Sequence, residues 1–478
     1  MNHTAPIARP HVVVIGGGFS GTALTLHLLR DAPSLPVRIT IVEPRPALAE
    51  GLAYSTQAPE HRINVAAARM AVFAETPDDF DVWFYESGQA ATDPDALMAD
   101  GSAFPTRAVF AAYVRARLTQ ALDAAPAATL RHARLRAESV APLGAGFVVT
   151  LSDGERLTAD VVVLATGHFS PELPSALLGL AGDSALIADP WAPGALAGID
   201  PTERVAIIGT GLTMADVLAS LRAQGNRAPV TAVSRRGLLP RPRTRTPVIP
   251  IGQYADPPSR SASALLRRVR TAIDARTAEG RPWEDVFDAV RAQGRAIWAT
   301  LSPDDRRRLL RHASPYWDVH RYQCSPQIAG LLQSDQVSGA LSVVAGRLFT
   351  AQRDGGALRL HLRHHGTPAT LTCGRIIICI GPGRRGSFAG NPALHSLAKA
   401  GLIRPDAYGL GIAVNAEAQA LDAHSSPHPA LLVAGPPARG TWGELMGLPQ
   451  VSAQPREVAC ALAQRLGALN RTVMELPA

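Results

Sequence analysis

Residues 11–21, HVVVIGGGFSG, together with Glu43, constrain this chain more than any other feature. Val12, Val13, Val14 and Ile15 make a β-branched run of the kind buried on both faces of a parallel sheet. Gly16, Gly18 and Gly21 follow in G-x-G-x-x-G spacing. The first glycine permits a tight turn, the second lets backbone approach a pyrophosphate, and the third lets a helix pack close to the strand. Phe19 and Ser20 open that helix, whose apolar pattern continues through residues 22–29 and whose first N–H groups would face phosphate. A second β-branched run, residues 37–42, ends at Glu43, about twenty residues past the glycines. A carboxylate there accepts hydrogen bonds from the ribose hydroxyls of an adenosine. Strand, glycines, helix, strand and acid in this order predict a βαβ dinucleotide-binding unit.

A second such unit begins at residues 204–208, read as a buried strand, followed by Gly209, Thr210, Gly211, Leu212, Thr213 and Met214. Met214 stands where the third glycine belongs, so its helix is expected to pack less tightly on its strand. The next strand, residues 230–233, ends in Ser234, Arg235 and Arg236 with no acid. A hydroxyl and two guanidiniums suit a 2′-phosphate, which arginine binds bidentately, and this predicts NADPH. The alternative is an exposed arginine pair beside an NADH site.

A chain of 478 residues suggests about two or three domains. With 46% hydrophobic and 18% charged residues it reads as globular, and no apolar run is long enough to span a bilayer. Residues 1–10 lack an apolar h-region, so no signal peptide is read and the cytoplasm is the expected location. Cys324, Cys373, Cys379 and Cys460 show neither C-x-x-C nor metal-ligand spacing, which implies no disulfide and no metal site. The net charge of +7 rests on arginine, Lys399 being the sole lysine. That excess suits anionic ligands such as nucleotide phosphates. No basic run is interleaved with aromatics as a nucleic-acid strip would be.

Residues 51–56, GLAYST, and 61–65, HRINV, read as loop, the segment that in a flavin-binding architecture runs beneath the isoalloxazine ring. Tyr54, Ser55 and Asn64 are candidate contacts there, or Ser55 and Asn64 merely satisfy loop backbone. Arg107 precedes a helical pattern over 108–121 and either reaches a phosphate or carboxylate or is a solvated surface arginine. Residues 130–160 read as a small β-meander. It leads into a buried strand that ends in Ala165, Thr166 and Gly167, with His168 next. Residues 240–262 read as a loop and 264–332 as mostly helical, one helix opening with a Ser302 cap and Pro303. Between helices of this segment, residues 314–323 crowd aromatics around Asp318, His320 and Arg321, the best candidates for substrate contact unless they form a helix-packing knot. A β region at 343–371 and a strand at 375–381 follow. Another strand ends at Gly435, and Arg439 and Trp442 come next, where such folds close over a flavin. The expected division is a first FAD-binding part at 1–190, an NADPH-binding domain at 191–262, a helical segment at 263–335 and a second FAD-binding part at 336–478.

GGGFSG, GLAYST, HRINV, the segment 104–107, ATG at 165–167, Asp189-Pro190-Trp191, GTGLTMAD, SRRGLLPR, YWDVHR and GPPARGTWGE together resemble a bacterial family of FAD/NAD(P)-binding proteins related to flavin-dependent monooxygenases. The resemblance implies an α/β two-dinucleotide flavoprotein with an FAD Rossmann-type domain, an inserted NADPH Rossmann-type domain and a helical excursion. It further implies a monooxygenase that hydroxylates the nitrogen of a small amine or amino acid, aspartate among them, through a C4a-hydroperoxyflavin formed with O₂. Two alternatives stand beside it: a flavin reductase for a quinone or organic acceptor, and a non-catalytic dinucleotide-binding redox module. Disulfide reductases of this architecture need a redox cysteine pair, and the sequence offers none. The F-x-G-x-x-x-H fingerprint of Baeyer–Villiger enzymes is replaced by Asp189-Pro190-Trp191. The expected partners are a small substrate and O₂, with no nucleic acid and no membrane span; the residues specify no oligomeric state.

Overall fold

The computed structural model describes residues 9–244, 248–383 and 388–475, with side chains described up to residue 470. Residues 1–8, most of the segment read as lacking an h-region, and 245–247 of the loop at 240–262 lie outside the described residues. The chain divides into two compact units, unit 1 (1–56, 67–170, 383–478) and unit 2 (57–66, 171–382).

Unit 1 opens with β1 (His11–Ile15), whose five residues are all buried, and the helix Phe19–Asp31. Strands β2 (Val37–Val42) and β3 (Ala128–Ala133) extend the sheet in parallel on one side of β1. A three-stranded antiparallel meander follows, β4 (Ala137–Leu143), β5 (Gly146–Leu151) and β6 (Arg156–Ala159). Strand β7 (Val161–Leu164) then pairs with the other side of β1. The β-branched composition of β1 and β7 is explained by this position, since a central parallel strand is covered on both faces. Leu24, Leu26, Leu28 and Leu29 of the helix Phe19–Asp31 are buried, each contributing about 1.5–3 kcal/mol.

Unit 2 contributes β8 (Leu186–Ile187), β9 (Val205–Ile208), β10 (Val230–Ser234), β11 (Leu341–Asp354), β12 (Ala357–His364), β13 (Thr367–Cys373) and β14 (Arg375–Ile378). They form one sheet in the order β13-β12-β11-β10-β9-β14-β8, parallel from β11 through β8 and antiparallel at the β13 edge. Alternate residues of β9 feed two cores. Val205 and Ile207 meet Met214, Leu218 and Leu221 of the helix Leu212–Ala223, while Ala206 and Ile208 meet Leu358, Leu360 and Leu362. The helices between 262 and 337 bury a cluster of their own around Leu265, Val286, Val290, Ile297 and Leu301. Ser302 caps the helix Pro303–Arg308 by accepting from the Asp305 N–H at 3.1 Å. The chain then returns to unit 1 with β15 (Gln419–Leu421) and β16 (Pro427–Val433), giving the order β15-β16-β7-β1-β2-β3.

Several expectations are corrected. The residues at 130–133 are not part of the meander: β3 pairs with β2 in the main sheet, from Val37 opposite Ala128 to Val42 opposite Ala133. Residues 336–382 do not belong with the second FAD-binding part. Strands β11 and β14 flank β10 and β9, so this segment completes the second sheet. Segment 171–190 likewise falls in unit 2, where β8 pairs with β14. Within GLAYST, Gly51–Tyr54 is a helical turn rather than loop, and Ser314–Arg321 is itself a helix. Among the described residues, no helix is long and apolar enough to cross a membrane.

Tyr113, in the helix Arg107–Asp123, is fully buried. Its hydroxyl donates to Asp79, which Arg117 also grips at 2.9 and 2.7 Å, and accepts from the Val72 N–H at 3.2 Å. Replacing Tyr113 with Phe strips partners from a buried amide and a carboxylate. It is expected to destabilise unit 1 by about 1–3 kcal/mol. A lowered thermal midpoint by circular dichroism checks this.

Candidate functional site

The two glycine turns are built alike. Gly16 has φ +105° and Gly209 φ +117°, a region open to glycine at no cost. A Cβ on Gly16 would lie 2.3 Å from the Ala165 carbonyl oxygen, and one on Gly209 would lie 2.0 Å from that of Cys379. The Gly16 N–H donates to the Val42 carbonyl at 2.9 Å, and the Gly209 N–H to that of Val233 at 2.8 Å. Gly18 and Gly211 then cap the two helices with extended backbone. Each turn therefore sits at the carboxyl end of a parallel sheet with a helix N-terminus behind it, the arrangement that receives a pyrophosphate.

The third position separates them. A Cβ on Gly21 would stand 2.0 Å from the Gly16 carbonyl oxygen, so the first helix is pressed on its turn. Met214 takes that place in the second turn and is fully buried in the core beside Ile207 and Val230.

In unit 1 the parts of the expected FAD site converge. Glu43, 4% exposed, accepts from the Gly17 N–H at 3.0 Å and from the Arg45 N–H at 3.1 Å, which fixes the carboxylate against the glycine turn. A carboxylate has lone pairs to spare for ribose hydroxyls. Phe19 stacks on Phe110 with ring centroids 5.8 Å apart, and Tyr54 lies 4.9 Å from Phe110. Burial pushes the Tyr54 phenol up to about 12, against the pull of the nearby Arg107 charge. Gly435, after β16, is held by Gln454, which accepts from its N–H at 2.7 Å. A Cβ on Gly435 would meet the Ser20 hydroxyl at 2.2 Å, so the closing strand lies against the first helix. Trp442 and Arg439 follow, both buried. Thr166 and Gly167 extend from β7, and the Thr166 hydroxyl is buried with no partner among the described residues. The Arg439 Nε is likewise buried without a partner, although its charge is felt at His168 and Asp406. A glycine cradle, an anchored acid and two orphaned polar groups fit FAD. Ser55 follows the Gly51–Tyr54 turn. Asn64 falls in unit 2, where its amide donates to the Gln323 carbonyl at 3.1 Å.

In unit 2, Leu212 and Thr213 begin the helix behind the second turn. The Thr210 hydroxyl donates to the Leu238 carbonyl at 2.6 Å and lies 2.9 Å from the Ser234 hydroxyl, which accepts from the Gly237 N–H at 3.0 Å. This ties the strand tip to the turn, and Arg235 and Arg236 are exposed beyond it. Arg235 has no partner among the described residues. A Cβ on Gly211 would meet nothing within 4 Å, so the approach to this helix end is open.

The candidates for substrate contact sit on the helix Ser314–Arg321. His320 packs at 4.9 Å on Trp283 and 5.2 Å on Phe287, and Trp317 stacks on Phe287 at 5.3 Å. Arg321 is buried, 5.1 Å above the Tyr322 ring. These contacts fasten the helix to Glu284–Ala292, the packing alternative raised by the sequence; Asp318 sits on the same helix. The sequence carried no signal for Gln454, Arg45 or Gly17 as supports of the site, because each acts through a contact with no motif of its own. The three buried cysteines are poor nucleophiles: burial pushes Cys324 up to about 12 and Cys373 up to about 11, and raises Cys379 as well.

Replacing Gly21 with Ala drives a methyl into the Gly16 carbonyl. The variant is expected to purify with a lower flavin-to-protein absorbance ratio than the wild type, while Met214→Ala leaves that ratio unchanged.

Residues 13–169 match the model of a family described as FAD-NAD(P)-binding. No curated protein matches the chain. The ornithine hydroxylase of Pseudomonas aeruginosa is similar in structure, with a TM-score of 0.64 at 15% identity over 96% of this chain and 100% of that one. The ornithine N-hydroxylase of Kutzneria sp. 744, solved with reduced FAD, NADP⁺ and L-ornithine, gives 0.62 at 16% identity over 96% and 99%. The L-lysine 6-monooxygenase of Pseudomonas syringae gives 0.60 at 14% identity over 97% and 99%. Residues 13–169 thus carry the match to a FAD-NAD(P)-binding family, and the chain as a whole has the two-dinucleotide fold that these ornithine and lysine hydroxylases share.

Proposed function

We propose that this chain is an FAD- and NADPH-dependent monooxygenase that hydroxylates the nitrogen of a small amine or amino acid. The observation that carries the reading is the pair of like glycine turns at the ends of two separate parallel sheets, one in each unit. Two dinucleotides in one chain call for a hydride donor and a flavin acceptor. The first turn, with Glu43, takes FAD; the second, with Arg235 and Arg236 in place of an acid, takes NADPH. Thr166 and Arg439 supply the polar groups that meet the flavin side, and Arg439 keeps a positive charge there. When bound and reduced, FAD activates O₂ so that one oxygen atom goes to the substrate nitrogen and the other leaves as water. The burial of three thiols disfavours dithiol chemistry. The likeness to ornithine and lysine hydroxylases supports an amine as acceptor, and an acidic amino acid such as aspartate remains within the proposal because the chain is rich in arginine.

The test follows NADPH oxidation by the holoenzyme with ornithine, lysine, cadaverine and aspartate in turn, assaying hydroxylamine product and H₂O₂. One of these is expected to bring hydroxylamine close to one per NADPH. Conversion of all NADPH into H₂O₂ with every amine, together with fast anaerobic reduction of a quinone, would replace the reading with the reductase one. A second expectation concerns coenzyme choice. Arg235→Ala combined with Arg236→Ala should raise KM for NADPH about a hundredfold or more, since each of the two removes at least one hydrogen bond to a charged group, contributing about 1.5–3 kcal/mol. KM for NADH should change little; equal changes for both would remove the 2′-phosphate assignment.

A further inference from the structure

Arg236 does not stand alone at the tip of β10. Its guanidinium lies 5.0 Å from the ring centroid of Tyr316, and one of its N–H groups donates to the Tyr316 hydroxyl at 3.1 Å. Tyr316 comes from the helical excursion, eighty residues further along the chain. Tyr316 is 48% exposed. The helix that carries it is anchored: Trp317 stacks on Phe287, and His320 packs against both Trp283 and Phe287. The aromatic knot therefore has a consequence beyond packing, because it presents Tyr316 from a fixed base.

A free arginine side chain samples many rotamers and loses that freedom when it grips a ligand. An arginine already stacked on a ring and hydrogen-bonded to its hydroxyl has lost much of it beforehand. The guanidinium has five N–H donors in a planar fork. With one given to Tyr316, the others remain for an anion. Neither Arg235 nor Arg236 forms an ion pair with an acid among the described residues, so both charges are free to meet a phosphate.

We propose that Tyr316 is a positioning residue for the 2′-phosphate of NADPH: it holds Arg236 in its binding pose, so that the helical excursion takes part in choosing NADPH over NADH. The proposal rests on the NADPH reading of the second turn.

Calorimetric binding to the FAD-loaded protein separates the two, with adenosine 2′,5′-bisphosphate and AMP, which differ only in the 2′-phosphate, as probes. The wild type is expected to prefer the bisphosphate. Tyr316→Ala should weaken bisphosphate binding about two- to tenfold and leave AMP unchanged, the size expected for one side chain's ordering. Tyr316→Phe keeps the ring and should lose less than Tyr316→Ala. In an Arg236→Ala background, Tyr316→Ala should cost nothing more, because Tyr316 acts through that arginine. A wild type that binds both probes equally would overturn the NADPH reading and the proposal with it. A wild type that prefers the bisphosphate, with Tyr316→Ala equally selective, would overturn the proposal alone. An equal loss for both probes would also overturn it, by making Tyr316 a direct adenine contact. The exposure of Tyr316 makes all these variants compatible with folding, and unchanged flavin content verifies it.

Discussion

Both cofactor sites depend on one contact, a strand-end carbonyl lying over a glycine where no side chain could fit. The Ala165 carbonyl covers Gly16, and the Cys379 carbonyl covers Gly209. In each case the covering strand is hydrogen-bonded beside the strand that leads into the glycine: Ala165 N–H to Ile15, and Cys379 N–H to Ile208. The glycine can therefore turn only in the one direction that leaves the carbonyl room, and the helix that follows has its N-terminus delivered to the sheet's carboxyl edge. Everything else at the sites, from Glu43 to Ser234, is arranged around backbone fixed in this way.

That logic explains what could be read from the residues and what could not. A glycine turn is local, so residues 11–21 and 204–214 declare themselves by spacing and by the β-branched strands before them. Glu43 and the Arg235–Arg236 pair are legible for the same reason, each lying at the tip of the next strand. The unit boundaries are not. Strands β11 and β14 follow the helical excursion in sequence, and their pairing with β10 and β9 is decided by which sheet edge still lacks a neighbour. No run of residues announces that choice. The strand β3 is hidden differently: its burial alternates over most of its length, so it resembles the meander strands after it, and only the parallel register with β2 separates them.

The substrate side was legible least. Residues 314–323 attract attention through their composition, yet aromatic and charged side chains in ten residues serve packing as readily as chemistry. The rings of Trp317 and His320 are spent on Trp283 and Phe287, while Tyr316 one step round the helix turns to Arg236. One short helix thus makes two kinds of contact, and only partners distant in sequence, Trp283 and Phe287 on one side and Arg236 on the other, tell them apart.

The difference between the two turns matches the different demands the proposed reaction makes on them. A flavin stays bound through every cycle, whereas the nicotinamide must arrive and leave. Gly21 lets the first helix press on its turn, Glu43 is buried against Gly17, and Gly435 brings the closing strand onto Ser20, so that release would require several packed contacts to open together. The second turn is built differently. Met214 stands in place of the third glycine, a Cβ on Gly211 would face open space, and the charges of Arg235 and Arg236 stand exposed on the strand tip. Exposed charges draw an anionic coenzyme in quickly but hold it through a screened interaction. Under the proposed reaction, the same fold used twice in one chain would yield a retaining site and an exchanging one through a single glycine's presence or absence and the depth at which the recognising charge is placed.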